Sequence, residues 1–333
     1  MTVTSPALGT LVQGFFAEHL LDHKRASPQT VSSYRDAFRL LLDFLRTQTG
    51  TEPVALRLAD LDAPMILAFL DHLEQGRKNT VQSRNARLAA LRSFFRFVSL
   101  REPDSLALAT RVLAIPAKRT NRTLVTYLTR AEMDAIVAAP DRTESAGRRD
   151  HALLLTLYNT GARVSEITAL RRSDVHFGAS TTVQLHGKGR KERVVPLWPR
   201  TSRVLQAWFR ELGGSPDGVA FPNARHDRLT RHGVTYLLDQ AVQRTRSSCT
   251  TLGAKRVSPH IIRHTTAMHL LQAGVDVTVI ALWLGHESIE TTHLYVEADL
   301  AMKERALGKI APLATGLRRF NPDDALMAFL TSL

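Results

Sequence analysis

The chain has 333 residues, of which 44% are hydrophobic and 23% are charged, so it has enough apolar material for two domains with sizeable cores. A single cysteine, Cys249, excludes a disulfide framework and a thiolate metal cluster within one chain. The formal net charge of +13 favours a polyanion as partner, and nucleic acid is the commonest polyanion for a soluble chain.

Residues 8–101 have the pattern of a helical bundle. Ser27-Pro28 and Asp62-Ala-Pro64 are helix-start signals, because proline fits the first turn of a helix. Apolar side chains recur three or four residues apart after both signals and again from about residue 79 to 100. We therefore predict a helical DNA-binding domain over residues 1–102. The periodic positions are Val31, Tyr34, Phe38, Leu41, Leu42 and Leu45, then Ile66, Leu67, Phe69, Leu70 and Leu73, then Leu88, Leu91, Phe95 and Val98.

Residues 77–101 contain seven basic residues and no acidic one. An isolated basic helix is usually a solvated face, but solubility alone would favour charges of mixed sign. Arg92 and Arg96 are four residues apart and can face one ligand while the apolar stripe packs. We predict that this segment contacts the DNA backbone, chiefly through Arg84, Arg87, Arg92 and Arg96.

The periodicity lapses from residue 103 to 126, where Pro103 and Pro116 interrupt the chain. This composition predicts an interdomain linker. Its basic residues, Lys118, Arg119 and Arg122, suit a path along DNA, and we expect them to contact it.

The second domain is predicted to be α+β, with a small β-hairpin or sheet among helices, so that the chain as a whole is mostly α. Thr129 and Glu132 form a capping-box pattern, and Gly161 is a stop signal for a helix that begins near Asp150. Residues 183–197 predict a hairpin with a glycine-rich basic tip. Further helices are expected at 200–212, 230–246, 259–273, 276–284 and 288–296.

Four short motifs of this domain agree in order, spacing and residue type with those of tyrosine recombinases, the phage-integrase and Xer-like family, which the chain resembles. They are Thr-Gly-Ala-Arg163-Val-Ser-Glu, His-Gly-Lys188-Gly-Arg-Lys-Glu-Arg, His260-Ile-Ile-Arg263-His264-Thr, and Leu-Gly-His286 followed nine residues later by Tyr295. By motif the resemblance covers roughly the last 170 residues, with a catalytic domain over 127–312; by architecture alone it extends to the first 115.

Cleaving a phosphodiester without a metal requires protein cations for the phosphate oxygens, a nucleophile and a proton donor. The planar fork of arginine suits phosphate, and the resemblance implies that Arg163 and Arg263 bind the scissile phosphate. It also favours Lys188 as general acid, with Lys191 as a close competitor. Arg190 and Lys191 are further candidates for DNA contact.

The nucleophile implied by the resemblance is Tyr295, whose phenol must be activated because its ordinary pKa is about 10. By the same resemblance His260 assists as general base, His286 donates a hydrogen bond to the phosphate, and His264 supports the structure. His260 and His264 have a spacing that zinc could use, but Arg263 between them would repel a cation. We therefore expect no metal and no cofactor.

The resemblance implies a 3′-phosphotyrosyl intermediate, ATP-independent resealing, and four protomers that exchange strands between two DNA sites through a Holliday junction. Integration or transposition of a mobile element is the expected role, and accessory recombinases or DNA-bending proteins are candidate partners. Xer-type dimer resolution, a type IB topoisomerase and a non-catalytic DNA-binding relative are the alternatives.

The C-terminal segment departs from the family pattern. Val-Glu follows Tyr295 where many relatives have a small polar residue and His, and 38 residues come after the tyrosine. We expect residues 313–333 to form a tail that docks in trans through Leu326, Phe329 and Leu330. The N-terminus has no secretory signal, and the longest apolar stretch is too short for a bilayer, so a soluble, nucleoid-associated protein of the cytoplasm is expected.

Overall fold

The computed structural model describes residues 7–120, 126–187 and 191–286, together with Thr292, Leu294 and Tyr295. The chain divides into two compact units, residues 1–122 and 123–333. The predictions for Arg122, Lys188, Arg190, most of the helix at 288–296 and the tail at 313–333 fall outside the described residues.

The first unit is helical, as predicted. Its helices are α1 (Leu8–Gly14, continued by a π-helical segment, Phe15–His23), α2 (Pro28–Thr49), α3 (Ala63–Asp71, continued by a π-helical segment, His72–Gly76), α4 (Val81–Arg101) and α5 (Leu106–Leu113). Both predicted starts are confirmed: the Ser27 side chain accepts from the Thr30 N–H, and Asp62 accepts from the Met65 N–H. These bonds satisfy backbone donors that a helix leaves unpaired in its first turn.

Residues 103–115 were predicted to belong to the interdomain linker, but the structure forms a helix there. A 3₁₀ turn at Pro103–Ser105 leads directly into α5. Ala109, Val112 and Ile115 are buried in the core of the first unit. The segment is too short to display a full apolar stripe, so its helix emerges only from packing against α4.

The second unit contains seven α-helices, two 3₁₀ helices (Arg172–Asp174 and Thr250–Ala254) and three strands in its described residues. The helices are α6 (Arg130–Ala138), α7 (Ser145–Thr160), α8 (Val164–Ala169), α9 (Pro199–Leu212), α10 (Arg231–Thr245), α11 (Pro259–Gln272) and α12 (Val277–Leu284). The strands β1 (Val175–His176), β2 (Thr182–His186) and β3 (Glu192–Pro196) form one antiparallel sheet in that order. The predicted hairpin is thus β2–β3, in which Val183 lies opposite Val195.

Local signals located most of these helices correctly. The capping box of Thr129 and Glu132 is present at the start of α6, and Gly161 ends α7. The start of α7 is the exception, because the helix begins at Ser145 rather than near Asp150. Its first turns are polar, so the buried positions that reveal the periodicity begin only at His151.

Helices α7 and α11 pack together in the interior of the second unit, and α12 packs on α11. The ends of these helices bring the candidate site residues near one another. None of the helices in the described part of the chain combines the length and the apolar character that crossing a membrane requires.

Candidate active site

Arg163 lies at the corner between α7 and α8. Gly161 ends α7 at a φ of +58°, a conformation that favours glycine, and Arg163 is the residue that precedes α8. The backbone N–H of Arg163 donates to Glu166 Oε2 at 2.8 Å. Its guanidinium donates to Glu166 Oε1 at 2.9 Å and to the Gly285 carbonyl at 3.0 Å. Arg163 is therefore held from two sides, and its side chain is 33% exposed, so a ligand can reach it.

Arg263, on α11, is buried with 5% of its surface exposed. Its guanidinium donates to the carbonyls of Gly161 and Leu284, both at 2.7 Å. Burial, together with the charges of Arg163 and Arg193, lowers the pKa of Arg263 to about 10. The side chain therefore remains a cation at neutral pH and ties the α7–α8 corner to the end of α12.

Arg193, on β3, is a member of this cluster; it ends the second motif, but no role was predicted for it from the sequence. It donates to both carboxylate oxygens of Glu166, at 3.0 and 2.7 Å, and to the Trp283 carbonyl at 2.9 Å. Burial opposes ionisation of Glu166, but hydrogen bonds and charge from Arg193, and further hydrogen bonds from Arg163, hold the pKa of that carboxyl below its usual range. The sequence feature that could have identified Arg193 is a basic residue inside a predicted strand.

Tyr295 is buried beside two histidines, with 2% of its surface exposed. Its phenolic oxygen is 2.9 Å from His264 Nδ1, and its ring stacks on that of His286 with centroids 6.2 Å apart. Burial raises the pKa of Tyr295, and the charge of Arg263 opposes the rise. The phenol is therefore protonated at neutral pH in this arrangement.

His260 and His264 occupy successive turns of α11, with ring centroids 6.4 Å apart. His260 is exposed, whereas His264 is half-buried and contacts the phenol. Partial desolvation and the charges of Arg263 and Arg163 lower the pKa of His260. The sequence assigned the contact with the tyrosine to His260 and a supporting role to His264, and the structure places His264 at the phenol instead.

His286 follows the αL residue Gly285 that ends α12. Its Nδ1 is 2.7 Å from Thr292 Oγ1. Burial, with the charges of Arg263 and Arg163, lowers the pKa of His286 to about 4, so the ring is neutral at neutral pH. A neutral imidazole with Nδ1 engaged by a hydroxyl keeps Nε2 for a second hydrogen bond.

A cavity of about 180 Å³ opens beside Arg163 and the basic hairpin. Of the predicted tip residues, Lys191 is described, and its carbonyl accepts from the Gly187 N–H at 2.7 Å. The choice between Lys188 and Lys191 as proton donor stays open, because Lys188 is outside the described residues. The cavity is lined by Arg163, Gly187, Lys191, Glu192, Arg193, Ala281, Leu282, Gly285 and His286.

No group of three or more His, Cys, Asp or Glu side chains is arranged to hold a metal ion within the described ranges. Arg263 lies between His260 and His264 in sequence, and the second of these histidines is engaged with Tyr295.

The predicted basic surface of α4 is only partly at the surface. Arg84 is 2% exposed and donates to the Pro116 carbonyl at 3.2 Å, which corrects the prediction that it contacts DNA. Arg84 falls on the same face as Leu88 and Leu91, so it points inward with them. Arg87 and Arg92 are half-buried, and Arg96 is exposed.

The basic residues at the end of the first unit differ in their surroundings. Lys118 is paired with Glu74 at 2.5 Å, and its backbone N–H donates to Asn85 at 3.1 Å. Arg119 is exposed. Lys118 and Arg119 are both exposed, so the expected DNA contact is open to either of them, although Lys118 is also engaged by Glu74.

Comparison with known proteins assigns both units. Residues 126–302 match the phage integrase family, and residues 14–102 match the SAM-like N-terminal domain of phage integrases. A Sinorhizobium fredii protein named as an integrase/recombinase is 51% identical over 98% of both chains. Tyrosine recombinase XerC of Oceanobacillus iheyensis is 33% identical over 90% of this chain and 96% of its own length.

Solved structures have the same fold. The XerH site-specific recombinase, in a post-cleavage complex with its substrate, aligns with a TM-score of 0.67 at 21% identity, covering 86% of this chain and 81% of that one. The Tn1549 transposon integrase, in complex with a circular intermediate DNA, aligns with a TM-score of 0.68 at 14% identity, covering 90% of this chain and 99% of that one. With a family match over more than half of the chain and relatives that span nearly all of it, the protein belongs to the phage integrase family and is a site-specific tyrosine recombinase.

Proposed function

We propose that this recombinase cleaves each DNA strand by attack of the Tyr295 phenol on a backbone phosphate. The Oη–P bond forms as the P–O5′ bond breaks, so the products are a 3′-phosphotyrosyl link and a free 5′-hydroxyl. The link conserves the energy of the phosphodiester, and a 5′-hydroxyl from another duplex can reverse the reaction without ATP.

The observation that carries this proposal is the position of the Tyr295 phenol, next to His264 and His286 and within the electrostatic field of Arg263. Arg163 is partly exposed. Arg163 and Arg263 both contact the C-terminal end of α12, because they donate to the adjacent carbonyls of Gly285 and Leu284. Two fixed guanidinium groups can stabilise the charge that builds on the non-bridging oxygens. Lys188, or Lys191 in its place, protonates the leaving O5′.

Charge supports DNA as the partner of both units. Residues 1–122 contain 17 Lys and Arg against 11 Asp and Glu, and residues 123–333 contain 27 against 20. Neutralisation of phosphates by such an excess supplies most of the affinity in non-specific DNA binding. XerH and the Tn1549 integrase were each solved on DNA, and lambda integrase was solved as a dimer on a core site. We infer from the family resemblance that four protomers of this chain assemble on two sites and exchange strands through a Holliday junction.

Integration or transposition of a mobile element is the role we propose. It is supported by the relative named as an integrase/recombinase, which matches the chain from end to end. Xer-type dimer resolution is the second candidate, and the XerC relatives at 33% identity favour it. Joining of sites on two separate plasmids supports the first role, whereas reaction confined to sites on one molecule supports the second.

The test uses nicked suicide duplexes tiled across the DNA that flanks the gene and incubated in EDTA. The label is on the strand 5′ to each nick, because that piece keeps the 3′-phosphotyrosyl link. Wild type is expected to give a covalent band that resists SDS. Tyr295→Phe is expected to bind the same duplex and give none. Tyr158→Phe is the matched control, since Tyr158 Oη also lies against a histidine, 2.7 Å from His269 Nδ1, and it should react as wild type does. A band with Tyr295→Phe, or no wild-type band with any flanking duplex, would contradict the proposal.

A further inference from the structure

We propose that His264 is the group that takes the proton of the Tyr295 phenol as the tyrosine attacks. The inference rests on the proposed function, in which Tyr295 is the nucleophile. It adds to the two arginines, the lysine and His286 a residue that the sequence motifs assign only to structural support.

The geometry at the phenol carries this inference. His264 Nδ1 is 2.9 Å from Tyr295 Oη, within the reach that a general base needs, and the two ring centroids are 5.7 Å apart. His260 makes no hydrogen bond to Tyr295 among the described contacts, and its own ring is one helical turn away from His264. Of the two histidines on this face of α11, His264 is the one in position.

The surroundings keep this hydrogen bond apart from water. Tyr295 packs with Leu271, Ile280 and Leu284 in an apolar cluster and is 2% exposed. In such a site solvent does not compete for the phenolic proton, so the proton must leave through a side chain. His264 Nδ1 is the partner that the structure gives to that proton.

The protonation state of His264 suits this task. Burial and the positive surroundings of His260 and Arg263 lower its pKa to about 4, so the ring is neutral at neutral pH and can accept a proton, although it is a weak base until DNA binds. Two further ionisable groups of the described residues face this ring: Tyr295, which contacts it directly, and His286, which stacks on the tyrosine and interacts electrostatically with His264. A phosphate bound by Arg163 and Arg263 adds negative charge to the site and raises the basicity of the ring, so DNA binding and activation of the nucleophile are coupled.

The proton balance is complete in both directions. As the Oη–P bond forms, the Oη proton moves to His264 Nδ1, and the leaving O5′ takes its proton from the lysine. On resealing, the 5′-hydroxyl attacks the phosphotyrosine, its proton returns to the lysine, and protonated His264 returns a proton to the departing phenol. No other reactant is required.

The chain contains a matched pair for the experiment. His269 lies on the same helix as His264, and its Nδ1 is 2.7 Å from the Oη of Tyr158. Burial lowers the pKa of His269 as it lowers that of His264. The pair Tyr158–His269 therefore resembles Tyr295–His264 in its chemistry, but it plays no part in the proposed reaction.

The first measurement is the single-turnover rate of covalent-complex formation on the nicked flanking duplexes. His264→Asn, whose amide can accept a hydrogen bond but does not take up a proton, is expected to be slower than wild type by about 100-fold or more. His269→Asn should stay within a few-fold of wild type. Circular dichroism and DNA affinity, both expected to be unchanged, confirm that His264→Asn is folded.

The second measurement separates proton transfer from mere positioning. Tyr295 is replaced by 2,3,5-trifluorotyrosine, whose phenol is far more acidic and so depends less on a base. This substitution should restore most of the rate lost in His264→Asn and should not accelerate wild type by a similar factor.

Each remaining outcome has a definite meaning. A His264→Asn rate equal to or above that of wild type would overturn the inference, as would a defect that the fluorinated tyrosine leaves unchanged. If the wild type itself forms no covalent complex, or if Tyr295→Phe still does, the proposed function fails, and the role of His264 as proton acceptor fails with it.

Discussion

At the scale of single residues, Glu166 organises the cationic side of the site. Its carboxylate is buried and binds Arg163 and Arg193 at once, with contacts of 2.7 to 3.0 Å. Among the described residues, Glu166 is the anion that contacts both guanidinium groups and offsets their charge. Because Arg163 also keeps part of its guanidinium accessible, a phosphate can join the network without displacing Glu166.

Glu166→Gln should therefore destabilise the DNA-free protein by about 3 kcal/mol, because two partly buried cations lose their counter-charge. Glu211→Gln is the control, since Glu211 also binds an arginine, Arg148, at 2.6 Å, but in an exposed pair whose loss should matter much less. Urea denaturation of the two variants measures the difference. Equal midpoints would mean that the charge of Glu166 is not what stabilises the cluster.

At the scale of elements, two helix ends position the arginines that we propose to bind the phosphate. Helices α7 and α12 both end at an αL glycine, Gly161 and Gly285. The carbonyls at these ends lack helical partners and bear the negative end of the helix dipole. Arg163 and Arg263 satisfy them, so the same bonds that cap the helices also orient the arginines.

Gly161→Ala should lower the free energy of unfolding by more than the roughly 1 kcal/mol that an αL alanine costs. An added Cβ would lie 2.5 Å from Leu284 Cδ2, so the fully buried Leu284 side chain, or the end of α12 with it, must shift, at a further cost of about 1–3 kcal/mol. Because Leu284 and Gly285 hold the arginines, we also expect slower DNA cleavage, measured as formation of the covalent complex.

Gly50→Ala is the matched control for this prediction. Gly50 ends α2 with a similar φ of +67°, and its Cβ would meet no atom within 4 Å. This variant should show only the αL strain and should cleave DNA normally. If the two alanine variants were equally stable and equally active, contact between Gly161 and α12 would not be what requires glycine.

At the scale of the whole molecule, the chain contains two units with separate hydrophobic cores. Phe15, Phe69 and Phe94 belong to the core of residues 1–122, while Leu153 and Phe221 belong to that of residues 123–333. A unit that has its own core can fold alone. The sequence placed the end of the first domain at residue 102, but α5 completes its core.

We therefore expect fragments 1–122 and 123–333 to unfold cooperatively when each is expressed separately. Fragment 1–102 should be less stable than 1–122 by about 3 kcal/mol or more, because it lacks Val112 and Ile115. Urea denaturation followed by circular dichroism measures both. Equal stability of 1–102 and 1–122 would mean that α5 is not part of the folding unit.

Much of the architecture was determined by local sequence. The helix starts at Ser27, Asp62 and Thr129 and the stop at Gly161 depend on side chains within three or four residues, and all four signals were correct. The hairpin was found by its alternating pattern and turn glycines. The catalytic motifs identified the family, because their residue types and spacing are specific even without a structure.

Tertiary structure decided which side chains meet across long distances in sequence. His264 reaches a phenol 31 residues away, Arg193 joins Glu166 across 27, and Arg84 turns inward to a carbonyl 32 residues further on. Periodicity assigns a residue to a face of its own helix or strand, but it carries no information about what that face will contact. The family could therefore be identified from the sequence alone, whereas the proton acceptor that we propose for Tyr295 depends on the packing of the tyrosine against α11.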